Sequence, residues 1–245
     1  MKKNKNILIT GSSRGIGLSI AIFLADKGHN VFITGRDENV LKNLALKYSF
    51  SGFLAIDLLH EGAEVKLMAI AEEKMGIIDV LINNAGLYVY NSIEKTTTKE
   101  EKELLRLNTE VPFLLSKQCV PLMKNQKWGR IINIGSISGV VGEGYASLYS
   151  MTKSALLGFS KALALELAEF NITVNTINPG WVDTDLIDDE TLNKECSKNE
   201  ILDMIPQRRF VEPLEIAELC NFLISENAKG ITGQSINVCA GLSIG

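Results

Sequence analysis

Histidine is scarce in this sequence, with 2 in 245 residues, so little material is available for catalysis by imidazole groups. Cysteine is also sparse, and its spacing excludes a C-x-x-C pair. That spacing argues against a zinc cluster or a disulfide framework and favours reduced thiols in the cytoplasm. We therefore expect a cytoplasmic protein with no metal site. The four cysteines are Cys119, Cys196, Cys220 and Cys239.

Long apolar runs and an excess of positive charge are missing too. No run approaches the ~20 apolar residues that a membrane-spanning helix needs. The formal net charge is −4, which makes the phosphate backbone of a nucleic acid an unsuitable partner. Hydrophobic residues make up 46% and charged residues 22% of the chain, which argues against disorder. We expect a folded protein that binds neither membrane nor nucleic acid.

Short apolar segments recur at even intervals and alternate with stretches of helical periodicity. Continuous apolar strands are typical of a parallel sheet buried on both faces. Their alternation with helices predicts a doubly wound α/β fold. We predict one Rossmann-type domain over residues 1–245 with a parallel sheet of about seven strands. The segments that predict strands are 7–9, 31–33, 53–56, 80–82, 131–134, 172–177 and 236–238.

One stretch, 183–206, interrupts this pattern because it is polar, acidic and irregular. It follows a predicted strand at the edge of the sheet where ligands bind in open α/β folds. We interpret it as a substrate-covering lid, with a plain surface excursion as the alternative.

A glycine-rich turn follows the first predicted strand, with the spacing G-x-x-x-G-x-G at Gly11, Gly15 and Gly17. Gly11 permits a tight turn. Gly15 lets a pyrophosphate approach the backbone, and Gly17 lets the following helix pack closely on the strand. The start of that helix adds unpaired N–H groups and the positive end of the helix dipole. These features predict a dinucleotide site, and the absence of G-K-[ST] excludes a P-loop there. A glycine-rich turn without a ligand is the alternative.

Six motifs, in this order along the chain, resemble the short-chain dehydrogenase/reductase family. They extend from residue 10 to residue 234, so the resemblance covers nearly the whole chain. The overall pattern is most similar to the family's bacterial 3-oxoacyl-acyl-carrier-protein reductases. The resemblance implies hydride transfer between a nicotinamide cofactor and a carbonyl or secondary alcohol. The motifs are Thr10-Gly11-x-x-x-Gly15-x-Gly17, Asn83-Asn84-Ala85-Gly86, Ser136, Tyr149-x-x-x-Lys153, Asn178-Pro179-Gly180 and Ile231-Thr232-Gly233-Gln234.

Tyr149 and Lys153 lie four residues apart on a predicted helix over 148–169, which places them one turn apart on one face. An ammonium group beside a phenol favours the phenolate and lowers its pKa from about 10. The resemblance implies that Tyr149 is the general acid in reduction and that Lys153 tunes it and holds the nicotinamide ribose. It implies that Ser136 donates to the substrate carbonyl and that Asn108 anchors a proton-relay water. A buried asparagine that satisfies backbone groups explains Asn108 almost as well.

The type of cofactor is indicated by the end of the second predicted strand. Gly35 stands where NAD-dependent relatives carry an acid, and Arg36 follows it. Arg14 is a second cation aimed at the same space, and two guanidinium groups suit a 2′-phosphate. Asp37 is an acidic residue nearby and argues against NADP(H), but a role as a helix N-cap explains it. We therefore predict NADP(H). The cofactor-binding residues implied by the resemblance are Gly11, Ser12, Ser13, Arg14, Gly15, Ile16, Gly17, Arg36, Asp57, Leu58, Asn84, Ala85, Gly86, Tyr149, Lys153, Pro179, Gly180, Val182 and Thr184.

The substrate predicted from the resemblance is a 3-oxoacyl thioester, as a small molecule or bound to an acyl carrier protein. An acidic carrier needs basic residues near the cleft, and Lys124, Lys127 and Arg130 are the candidates. The sequence 128–130 is interpreted as a surface turn.

Other readings stay open. Another small carbonyl or alcohol, such as a sugar, steroid, polyol or aromatic compound, is the first alternative, and a noncatalytic dinucleotide-binding sensor is a remote one. The predicted lining of the substrate cleft is Tyr88, Tyr145 and Trp181. The resemblance also implies a homotetramer that pairs helices near 101–124 and 148–169 and the last strand.

Overall fold

Seven parallel strands form one sheet in the computed structural model, which describes residues 4–184 and 197–243. The strand order is β3-β2-β1-β4-β5-β6-β7, with parallel pairing at each step. Each predicted strand overlaps an observed one, so the predicted Rossmann-type sheet is confirmed. The strands are β1 Asn6–Ile9, β2 Asn30–Gly35, β3 Gly52–Ala55, β4 Val80–Asn83, β5 Gly129–Ile134, β6 Ile172–Pro179 and β7 Ser235–Val238.

Helices connect the strands, and several begin at side-chain caps. The Asp37 carboxylate accepts from the backbone N–H groups of Asn39 and Val40, which confirms its predicted N-cap role. A π-helical segment, Arg106–Glu110, lies between two of the helices. The helices are α1 Gly15–Asp26, α2 Glu38–Tyr48, α3 Ala63–Met75, α4 Thr98–Leu105, α5 Val111–Gln126, α6 Ser138–Val141, α7 Ser147–Leu167, α8 Lys198–Met204 and α9 Pro213–Ile224.

The core lies in two layers, one on each face of the sheet. Alternate residues of a strand point to opposite faces, and β1 shows this directly. Ile7 and Ile9 pack in the layer that contains α1 and α9. Leu8 packs in the layer that contains α3, α5 and α7. Burial on both faces explains why the strand sequences are continuous apolar runs rather than alternating ones.

All seven strands run in the same direction, so their carboxyl ends meet at one edge of the sheet. The loops after β1, β4, β5 and β6 therefore converge there and carry the predicted site residues. The central part of the predicted lid, 185–196, lies outside the described residues, and its last part contains α8. Across 4–184 and 197–243, no helix combines the length and hydropathy needed to cross a bilayer.

Candidate active site

Helix α7 and the end of β5 bring together the three central residues. Lys153 is buried, with 5% of its surface exposed, and its ammonium donates to the Ile134 carbonyl at 2.8 Å. Its Nζ lies 5.7 Å from the centroid of the Tyr149 ring. Ser136 is close enough to Tyr149 to influence the pKa of its phenol. The predicted clustering of these side chains is present in the structure.

Burial sets the ionisation of this pair. The pKa of Tyr149 is raised to about 12, mainly by burial. The Ser136 side chain lowers this pKa, and the charge of Glu143 raises it. Burial also lowers the pKa of Lys153 to about 8. The expectation that the ammonium lowers the pKa of Tyr149 is wrong for the protein by itself. The reason is that the Lys153 ammonium is directed to a backbone carbonyl and the phenol is desolvated. Tyr149 is therefore a protonated phenol at neutral pH.

A chain of hydroxyl groups runs from Ser136 to an acid that the sequence analysis missed. Ser136 Oγ donates to Ser138 Oγ at 3.1 Å, and Ser138 Oγ donates to the Glu143 carboxylate. The Tyr88 hydroxyl donates to the other oxygen of Glu143 at 2.8 Å. The Tyr88 ring meets the Tyr149 ring edge-on, with centroids 4.9 Å apart. An acid in the glycine-rich loop just before the helix of Tyr149 was the available signal for Glu143.

Asn108 lies in the π-helical segment and is 1% exposed. Its amide accepts from the Leu87 N–H at 2.8 Å and donates to the Leu87 carbonyl at 2.9 Å and to the Thr152 hydroxyl at 3.1 Å. These bonds match the alternative in which a buried asparagine satisfies backbone groups. Asn108 also borders the site, because a Cβ on Gly86 would lie 3.3 Å from its Oδ1 and 3.4 Å from Lys153 Nζ.

Side chains that directly follow β1 and β4 hold the glycine loop in place. The Thr10 hydroxyl accepts from the N–H groups of Asn84 and Ala85, each at 3.0 Å. The Asn84 amide donates to the Thr10 carbonyl at 2.9 Å and to the Gly11 carbonyl at 2.8 Å. Ser12 is fully buried and donates to the Ile9 carbonyl at 2.8 Å. The side chains of Asn84 and Ser12, both predicted cofactor ligands, therefore shape the loop.

The loop fits a dinucleotide. Gly11 and Gly15 adopt φ angles of 62° and 54°, in the left-handed region that favours glycine. Helix α1 begins at Gly15, and Arg14 at its N-cap makes no side-chain capping bond. Its first N–H groups can therefore meet a phosphate. Thr184 lies over this turn, 3.7 Å from the position that a Cβ on Gly15 would occupy.

The ribose end of the predicted cofactor site is lined by glycine and arginine. A Cβ on Gly35 would lie 2.9 Å from Ser13 Oγ, so a larger residue at this position would displace Ser13. Arg14 and Arg36 are exposed, and neither guanidinium is in an ion pair with a described residue. The ribose end of the site therefore has two positively charged side chains, and position 35 has no acidic side chain.

The remaining predicted cofactor residues lie along the same edge, with mainly structural contacts of their own. Asp57 accepts from the Leu59 N–H at 3.0 Å, as a turn residue does, and the Leu58 side chain packs in the core. The Pro179 carbonyl accepts from the Ile137 N–H, and the Gly180 N–H donates to the Val238 carbonyl, each at 2.9 Å. Of the other predicted residues, Ser13 is in the glycine loop, Ile16 is at the start of α1 and Val182 follows β6.

The three predicted cleft residues differ in their surroundings. Tyr88 contacts Tyr149, as described. Tyr145 is 63% exposed and contacts the ring of Tyr90, with centroids 5.5 Å apart. Trp181 packs against the core cluster around α1 and α9. Of the three, Tyr88 is the one with a ring contact to Tyr149.

The predicted carrier-docking patch is wrong. Arg130 is a residue of β5 and is 0% exposed. Its guanidinium donates to the Gly129 and Asn171 carbonyls at 2.8 and 3.0 Å and lies 4.4 Å from the centroid of the Trp128 ring. The predicted surface turn is therefore the buried start of a strand.

The two lysines of that patch are also badly placed for docking. Lys124 and Lys127 end α5 and precede the amino end of β5. Ser136 follows the carboxyl end, and a six-residue strand spans about 20 Å. The two lysines therefore lie at the edge of the sheet opposite to the site.

Oxidoreductases of the Rossmann type are the class of protein defined by this sheet, the glycine loop and the placement of Tyr149 beside Lys153. A family profile described as Enoyl-(Acyl carrier protein) reductase matches residues 11–243. The 3-oxoacyl-[acyl-carrier-protein] reductase of Aquifex aeolicus is 37% identical over 245 residues, which is 98% of each chain.

Two solved structures have the same fold. A variant of the actinorhodin polyketide ketoreductase with NADPH has a TM-score of 0.93 at 32% identity and covers 99% of this chain and 98% of its own. The 3-ketoacyl-(acyl-carrier-protein) reductase from Brucella melitensis complexed with NADH has a TM-score of 0.90 at 28% identity and covers 99% of both chains. The chain belongs to the short-chain dehydrogenase/reductase family, as its six motifs predict.

Proposed function

We propose that this protein is an NADPH-dependent carbonyl reductase whose substrate is a 3-oxoacyl thioester. The observation that carries the reaction type is the protonated phenol of Tyr149, close to Ser136 and next to the buried Lys153. A protonated acid beside a hydroxyl donor is what a carbonyl oxygen needs when it takes up negative charge during reduction.

Each residue of the site has a separate role in the proposed reduction. Ser136 turns its hydroxyl from Ser138 to the substrate carbonyl and polarises it, and Tyr149 gives its proton to the same oxygen. A bound nicotinamide supplies the hydride to the carbonyl carbon. Lys153 lies at the junction of Gly86 and Tyr149, where it would hold the ribose. The loop of Gly11 and Gly15 would hold the pyrophosphate.

The choice of a thioester is supported by the similarity to 3-oxoacyl-[acyl-carrier-protein] and 3-ketoacyl-(acyl-carrier-protein) reductases and to a polyketide ketoreductase. The burial of Arg130 supports a second candidate, a small carbonyl compound, because it removes the basic patch expected to dock a carrier. The two candidates use the same chemistry and differ in the part of the substrate remote from the carbonyl.

Turnover tests the proposal. Oxidation of NADPH would be followed with acetoacetyl thioesters, with and without a carrier protein, and with sugars, steroids and aromatic aldehydes. The proposal expects reduction of the acetoacetyl thioester at the highest kcat/KM. Better reduction of a small carbonyl would select the second candidate. A lack of turnover with every carbonyl would leave a noncatalytic dinucleotide sensor.

Arg36→Ala is expected to weaken NADPH binding by roughly tenfold or more, because a hydrogen bond to a charged group contributes ~1.5–3 kcal/mol. NADH binding should be nearly unchanged, since NADH lacks the 2′-phosphate. Dissociation constants from cofactor fluorescence would measure both. Lys42→Ala, which removes a positive charge from the exposed side of α2, is the matched control. Equal losses for both cofactors would assign Arg36 to structure, and a wild type that prefers NADH would refute the cofactor assignment.

We also propose a homotetramer built on α5 and α7. Phe113, Leu114, Leu156 and Phe159 line an apolar groove between these helices, and the Phe113 side chain is 51% exposed. A second copy of the chain would cover this groove. Light scattering should give four chains for the wild type and a smaller mass for Phe113→Lys.

A reducing, cytoplasmic setting is proposed as well. Among the described residues, Cys119, Cys220 and Cys239 are buried and unpaired. Burial raises the pKa of the Cys119 and Cys220 thiols, so these two are poor nucleophiles at neutral pH.

A further inference from the structure

Glu143 is a charged side chain in the cleft with no part in the reaction described so far. It lies in the loop between α6 and α7, just after Gly142, whose φ of 79° ends α6. The carbonyl of Tyr145 in the same loop accepts from the Asn91 N–H at 2.6 Å. That bond ties the loop to the segment that follows β4 and carries Tyr88. The carboxylate is therefore held in place by the backbone on both sides of the cleft.

Two hydroxyl groups fix the orientation of the carboxylate. Ser138 donates to one oxygen and Tyr88 to the other. An ionised carboxylate accepts about four hydrogen bonds, so each oxygen keeps a lone pair for a further donor. Glu143 is half-buried, which leaves that capacity accessible from the cleft.

The carboxylate is close to the reacting atoms. It is two hydrogen bonds from Ser136 Oγ, through Ser138, which places it within about 6 Å of that oxygen. Tyr88, its other partner, packs against the Tyr149 ring. A substrate whose carbonyl oxygen is bound by Ser136 and Tyr149 therefore has its nearest substituents beside Glu143.

We propose that Glu143 is a specificity-determining residue, which selects carbonyl substrates that carry a neutral hydrogen-bond donor near the reacting carbonyl and rejects those with an anionic group there. A hydroxyl at that place gains a charge-assisted hydrogen bond. A carboxylate at the same place meets a like charge in a cleft that is partly shielded from water. A 3-oxoacyl thioester is uncharged at this position and is accepted. This inference rests on the proposed reductase function.

The test compares substrates that differ only in the group facing Glu143. Methyl acetoacetate and acetoacetate differ by one negative charge, and 4-hydroxy-2-butanone and 2-butanone differ by one hydroxyl. The wild type should reduce the first member of each pair with a kcat/KM about tenfold higher than the second. In Glu143→Gln the ester-to-acid ratio should fall toward one, and the preference for the hydroxyl should weaken. Glu169→Gln, the same change on an exposed glutamate beyond the far end of α7, should keep both ratios.

A ratio within one variant separates specificity from general damage to the site, because damage lowers both rates together. Unchanged ratios in Glu143→Gln would overturn the inference while leaving the reductase function intact. Tyr88→Phe retains the carboxylate and should retain the discrimination against acetoacetate. If Tyr88→Phe loses it to the same extent, the shape of the cleft is responsible, and the assignment to Glu143 is overturned. If the wild type reduces neither these four carbonyls nor an acetoacetyl thioester with either cofactor, the proposed function itself fails.

Discussion

Replacing Tyr149 with phenylalanine is expected to reduce kcat for carbonyl reduction by at least about 10²-fold, which is the lower range of what a general acid contributes. The ring should stay in place, because its edge-on contact with Tyr88 does not involve the hydroxyl. The variant therefore loses the proton donor and little else. Binding of NADPH should be retained, since the proposed role of the phenol is toward the substrate carbonyl and not toward the cofactor.

Single-turnover kinetics with NADPH would measure the chemical step, and fluorescence titration would measure cofactor binding. Tyr48→Phe is the matched control, because Tyr48 is at the end of α2, away from Ser136 and Lys153, and should leave kcat unchanged. A Tyr149→Phe variant with a near-normal kcat on the natural substrate would refute the assignment. In that case Ser136 and the positive charge of Lys153 would carry the reaction alone.

Lys153→Met is expected to lower both turnover and cofactor affinity, and also to change how stability depends on pH. Burial lowers the pKa of Lys153 to about 8 in the folded protein, whereas the unfolded chain has a lysine with a pKa near 10.4. Between these values the unfolded chain holds a proton that the folded chain has released. The contribution of Lys153 to the free energy of unfolding should therefore rise with pH from about 8 to about 10, by up to about 2 kcal/mol.

Denaturant unfolding at a series of pH values would measure this slope. Above pH 10 the raised pKa of Tyr149 acts in the opposite direction, because the unfolded phenol releases its proton first. The buried thiols of Cys119 and Cys220, whose pKa is raised by burial, also act in the opposite direction, from about pH 8.5 upward. The contribution of Lys153 is therefore read below pH 10 as the difference in free energy of unfolding between wild type and Lys153→Met. This difference should rise with pH, whereas the difference between wild type and Lys161→Met, an exposed position on the same helix, should stay constant. A slope that is the same in wild type and Lys153→Met would show that the lysine is not desolvated in solution.

Much of the sheet could be predicted because its strands are buried on both faces. An apolar run such as 131–134 carries its own signal, independent of its partners. The pairing of Tyr149 with Lys153 was equally predictable, since a spacing of four on a helix fixes one face. Both inferences depend on local periodicity, which a single sequence contains.

Arg130 and Glu143 could not be placed in this way. Arg130 follows a tryptophan and a glycine, a combination typical of a turn, and its burial depends on carbonyls from Gly129 and Asn171. Glu143 is in a loop without periodicity, and its role depends on Tyr88, which is 55 residues away. The pKa of Tyr149 was misjudged for the same reason, because desolvation depends on the whole packed site and not on its nearest charge in sequence.

The bonds from Thr10 to the segment after β4 also constrain when the site can form on a growing chain. The Thr10 hydroxyl receives N–H groups that are 74 and 75 residues further along. At ~5–20 residues per second, synthesis of that interval takes about 4 to 15 s. During that time the glycine loop lacks the hydrogen bonds from Asn84 and Ala85 that hold it in place. The Pro179 carbonyl that receives the Ile137 N–H is made later still. A nascent chain can therefore bind a dinucleotide only late in synthesis. Cofactor binding then stabilises the completed sheet as a whole.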